Sequence, residues 1–105
     1  MARKKIKMRI TLKGTDANVK VLMFHPMETG LRKNKSTGEV IPAHFIKEVY
    51  VEHNGTRVLT ALMGIAVSKN PFMSFKVLNA NSGDTLAISW VDNLGETDST
   101  EKQIQ

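Results

Sequence analysis

The sequence predicts an all-β protein in which two antiparallel sheets of short strands pack face to face. Three observations carry that prediction. Apolar residues recur with period two in six or seven short runs. Turn residues punctuate the chain at ~8–12 residue spacing. No segment sustains a helical stripe over three turns. With 105 residues, the chain has the length of one immunoglobulin-like sandwich of about seven strands. The expected organisation is therefore a single domain over residues 1–105, with 1–4 and 98–105 frayed.

The strands follow in order. Ile6, Met8, Ile10 and Leu12 alternate with Lys5, Lys7, Arg9 and Thr11, giving a half-buried strand that ends at Gly14-Thr15-Asp16. Val19, Val21 and Met23 form the inner face of a second. Residues 25–42 hold two of the three prolines and two glycines and read as a long connection with a polar tip at Arg32–Gly38. Residues 44–53 alternate again, with Phe45, Val49 and Val51 on one face and Ile46, Glu48 and Tyr50 on the other. Asn54-Gly55 then predicts a tight hairpin into Arg57–Leu62, because both residues tolerate positive φ. Phe72–Leu78 and Leu86–Val91 are further strands, with Leu86, Ile88 and Trp90 sharing the core face. Asp92–Gly95 makes a turn, leaving 96–100 as a short polar edge.

Charge narrows the class. Fifteen Lys and Arg stand against ten Asp and Glu, for a net charge of +5. Residues 1–13 carry six cations (Arg3, Lys4, Lys5, Lys7, Arg9, Lys13) and no acid. Such a run fits a lysine-blunted edge strand. It also raises nucleic acid as a partner, although no aromatic is interleaved with it. Cysteine is absent, which excludes disulfides, thiolate metal sites and any thiol nucleophile. No apolar run has the ~18 residues of a membrane span, and the basic start is followed by no apolar stretch of the kind an export signal requires.

Motifs for catalysis are missing. There is no Gly-x-Ser-x-Gly elbow, and no two glycines fall closer than eight residues apart, so no phosphate-cradling loop exists. Glu48 and Glu52 read as a solvent face. No enzyme activity and no cofactor are expected. A softer alternative is copper: Met23, His25 and Met27 fall at i, i+2 and i+4, on one side of an extended chain, with His44 and Met63 or Met73 as further ligands. Methionine also fills core gaps and the spacing matches no strict metal motif, so core and turn is the reading preferred for these residues.

The loops say more. His25-Pro26-Met27-Glu28-Thr29-Gly30-Leu31-Arg32, Ile41-Pro42-Ala43-His44-Phe45 and Ser68-Lys69-Asn70-Pro71-Phe72 hold large side chains on stiff, Pro-containing connections. A protein contact surface has that character. His25, Met27, Glu28, Arg32, His44, Asn70 and Phe72 are the candidate partner-binding residues.

The same stretches, preceded by Val19-Lys20-Val21-Leu22-Met23 and followed by Trp90-Val91-Asp92-Asn93-x-Gly95, resemble the SoxZ family of the sulfur-oxidation (Sox) system. The likeness runs through His53-Asn54-Gly55 and spans residues ~19–95. It implies a non-catalytic subunit with an immunoglobulin-like fold that pairs with SoxY, whose C-terminal cysteine carries the sulfur intermediates of thiosulfate oxidation. It further implies transient contact with the other Sox enzymes through that complex, and export to the periplasm together with a signal-bearing SoxY. A chain without cysteine could not hold the sulfur itself. In isolation such a subunit is expected to self-associate weakly.

Overall fold

The computed structural model describes residues 6–64 and 67–105; the expectation for residues 1–4 lies outside them. Seven strands run β1 (Ile6–Lys13), β2 (Asp16–Met23), β3 (Ile46–His53), β4 (Thr56–Leu62), β5 (Phe72–Val77), β6 (Thr85–Asp92) and β7 (Thr97–Gln103). They form two sheets, β1-β2-β5 and β4-β3-β6-β7, with every pairing antiparallel. The chain changes sheets between β2 and β3, between β4 and β5 and again between β5 and β6. This is the immunoglobulin-like sandwich, with the fourth strand paired to the third rather than to the fifth.

The period-two pattern dictates the core. Val19, Val21 and Met23 of β2, Val49 and Val51 of β3, and Leu86, Ile88 and Trp90 of β6 are all buried between the sheets. Full burial of each aliphatic side chain contributes about 1.5–3 kcal/mol. In β1, an edge strand, Met8, Ile10 and Leu12 are only half-buried against that core. Asn54 and Gly55 both adopt positive φ, 52° and 84°, and close the β3–β4 hairpin as the sequence predicts. Glu48 and Glu52 are paired in register with outer-face positions of β6, as expected of a solvent-side pair.

Two expectations are corrected. Ile46, placed on the outer face from strict alternation, is fully buried. A register shift between Ile46 and Glu48 makes Lys47 the extra residue of a β-bulge, which lets Ile46 and Val49 share the core face. The region 98–105, expected to fray, is mostly β7, paired along the whole of β6. Beyond it Ile104 is fully buried; its N–H donates to Asp84 O at 2.8 Å and its O accepts from Gly83 N at 2.6 Å.

Candidate functional site

The connection between β2 and β3 is an arm, not a slack loop. Glu28 and His44 exchange two backbone hydrogen bonds, of 2.6 and 3.0 Å. Further out, Ile41 N–H donates to Arg32 O and Asn34 N–H to Glu39 O, and a turn at Asn34–Gly38 caps the arm. Every residue from 31 to 40 is exposed. The molecule accordingly measures 54 × 29 × 21 Å. At the base of the arm Gly30 has φ +83°, and a Cβ there would lie 3.1 Å from the Ala43 Cβ, so glycine allows the two chains to approach. The Arg32 guanidinium donates to both oxygens of Glu28, at 3.1 and 2.7 Å, and this pairing holds the Glu28 carboxyl below its ordinary value.

The arm is fixed to the sandwich by one carboxylate. Asp92 Oδ2 lies 3.1 Å from His25 Nε2 and 2.8 Å from His44 Nε2. Its other oxygen accepts from the N–H groups of Leu94 (3.0 Å) and Glu96 (2.8 Å). Four donors saturate an ionised carboxylate. Burial opposes the charge on Asp92, but the bonds from His25, His44 and the two backbone N–H groups outweigh it and hold its pKa below the ordinary value. The next residue adds a second clamp: Asn93 Oδ1 accepts from Phe45 N–H at 2.8 Å and its amide donates to Ala43 O at 2.9 Å.

His25 is equally constrained. Its ring packs edge-on against Trp90 at 5.0 Å and against His44 at 4.5 Å. Its Nδ1 accepts the N–H of Met27 at 3.2 Å. The proton of the neutral ring therefore sits on Nε2, facing Asp92. Burial lowers its pKa, against the raising pull of the bond to Asp92, and a second proton on Nδ1 would meet the Met27 N–H head-on. The His25 backbone is tied to the neighbouring loop: its N–H donates to Asn70 Oδ1 at 3.1 Å and its O accepts from Asn70 N at 3.0 Å.

His25, His44 and Asp92 also bring potential metal-ligand atoms within 4.8 Å of one another. The tautomer argues for a different role. A metal ligand on Nε2 ordinarily donates through its other nitrogen, whereas Nδ1 of His25 is an acceptor here. Of the thioethers in the copper alternative, that of Met27 is already engaged, because its Sδ accepts from Ile46 N–H at 3.3 Å. The arrangement is a hydrogen-bonded hub that positions loops.

The structure sorts the seven candidate partner residues. His25 and Met27 are buried, 4% and 5% exposed. They shape the loops and cannot themselves face a partner, a correction to their reading as contact residues. His44, Glu28 and Asn70 are partly buried at the arm base and the adjoining loop. Arg32 and Phe72 are exposed. Sequence reasoning misses Asp92, which it reads as the first residue of the turn Asp92–Gly95. Its parity with Leu86, Ile88 and Trp90 carried the signal.

One end of the sandwich thus holds a stiffened, exposed arm on a saturated polar hub. The chain matches the family model described as sulphur oxidation protein SoxZ over residues 6–103, and it belongs to that family. Its place is in the Sox system of sulfur oxidation. No curated protein sequence matches it significantly.

Proposed function

We propose that this chain is the non-catalytic partner of SoxY, and that the pair carries sulfur intermediates of thiosulfate oxidation in the periplasm. The family match over residues 6–103 supports this reading most strongly. The division of labour agrees with it, because a chain with no cysteine depends on another subunit for the thiol that bears the sulfur. Export together with SoxY and transient encounters with the other Sox enzymes follow from the same reading, as does weak self-association when SoxY is absent.

The arm and the loop before β5 are the surface we assign to SoxY. Asp92, Asn93 and Asn70 hold them in place before the partner arrives, which limits the ordering cost of binding. Leu31 and Leu94 are 80% and 58% exposed and supply apolar contact area there. The test is co-expression with SoxY followed by sedimentation and calorimetry. A one-to-one complex that survives purification is expected, with mass gain on SoxY alone after thiosulfate turnover. No complex, or a sulfur adduct on this chain, would overturn the reading.

A further inference from the structure

The outer face of the β1-β2-β5 sheet concentrates positive charge from all three strands. Register places Lys7, Leu22 and Phe72 in one row, Arg9, Lys20 and Ser74 in the next, and Thr11, Asn18 and Lys76 in a third, with Lys13 opposite Asp16 at the end. The five cations are all exposed, and Asp16 is the one acid in these rows. Around the β1 edge, a shallow groove of about 690 Å³ brings in Glu101 and Lys102 of β7. The basic run in the sequence is thus one border of a two-dimensional patch.

Arg9 stands directly opposite Lys20. Like charges in that position destabilise a sheet, and no neighbouring acid in the row relieves them. A fold that tolerates this arrangement in its free state is stabilised when an anionic surface covers it. We infer that this face docks an acidic patch on a partner protein, as a second surface separate from the arm. The inference does not depend on pairing with SoxY. Composition favours a protein over nucleic acid: Phe72 is the single aromatic of these rows, too few for the successive stacked bases of a tracked single strand, and the cations spread over three strands and grade into Leu22 and Phe72. Such a mosaic of charge beside apolar area suits protein recognition, with the charges setting encounter rate and orientation.

The experiment uses the full-length chain and two probes of equal formal charge, a short poly-L-glutamate and a short oligothymidylate, followed by amide chemical shifts and fluorescence titration. Polyglutamate should shift amides of residues 7–13, 18–22 and 72–76, and binding should weaken steeply with salt. The double variant Arg9→Glu/Lys20→Glu should lose about tenfold or more in affinity. Lys33→Glu/Lys35→Glu, the same change in net charge placed on the arm, should lose far less. Lys20→Glu alone should raise the melting temperature at low salt by relieving Arg9, which also keeps a folded variant in the comparison. Equal losses from the two double variants would mean that net charge alone binds polyglutamate, and would overturn the proposal. Tighter binding of oligothymidylate to the same amides would overturn it in favour of nucleic acid.

Discussion

Both ends of the sandwich carry a histidine–aspartate pair, and the two pairs do different work. At the hairpin end His53 Nε2 meets Asp84 Oδ2 at 2.7 Å, with both side chains about one-sixth exposed. At the arm end His25 and His44 meet Asp92 at 3.1 and 2.8 Å, and Asp92 is fully buried. The shorter bond is the less consequential one. Water can replace either partner at the hairpin end, whereas removing Asp92 leaves the enclosed His25 N–H with no acceptor and unties His44 and the Leu94 and Glu96 N–H groups from it. Burial, more than distance, decides what a polar contact contributes.

The largest expected effect sharpens that contrast. Asp92→Ala should cost about 3–5 kcal/mol by urea denaturation, the cost of breaking a buried, hydrogen-bonded ionic cluster; Asp84→Ala, at a solvent-screened pair, should cost far less. Equal losses would break the comparison. Trp90→Ala falls in the same upper range, about 3–5 kcal/mol, since its ring backs both the core and His25. A folded Trp90→Ala protein that had lost only SoxY binding would move Trp90 from core to interface.

Smaller effects test the arm. Gly30→Ala should cost about 1–3 kcal/mol, because its φ is strained for any side chain and the new Cβ meets Ala43. Arg32→Ala and Phe72→Ala remove exposed groups, so the melting temperature should hold. At least one should weaken SoxY binding by about 2 kcal/mol, roughly thirtyfold. Stability and affinity falling together would make these residues caps on the core.

Acidification should act first at the arm end and then at both ends. The His25 pKa is lowered from 6.5 by burial, so the unfolded chain takes up that proton first and stability falls as pH drops below about 6.5. Asp92 and Asp84 are both lowered from 3.8, which adds a second loss below about pH 4. Above pH 7 both contributions are fully present. The first stage should be absent in His25→Gln, as followed by denaturation at a series of pH values.

The strands and most of the core are legible from period two, because each buried β-residue repeats at i+2, whereas the order of strands within the two sheets is not. Ile46 is not either, since a bulge breaks that parity with no mark in the sequence. The polar stretch Thr97–Gln103 lacks any apolar alternation and becomes a strand because β6 offers it an edge to pair with. The hub was half-legible. His25, His44 and Asn70 stand out by their loop chemistry, whereas Asp92 reads as the start of a turn although its parity places it inside. A carboxylate in register with three core residues needs donors, and the histidines were the available ones.

The exposed arm also gives the protein a built-in reporter. Arg32, Lys33 and Lys35 lie together at the outer end of the arm, where residues 31–40 are all exposed and pack against no core residue. Segments of that kind open locally without global unfolding and are where proteases cut first. Brief trypsin digestion should therefore nick the chain at these three positions while the sandwich stays intact. A bound partner that covers the arm would slow the cut, turning occupancy into a band on a gel with no label attached.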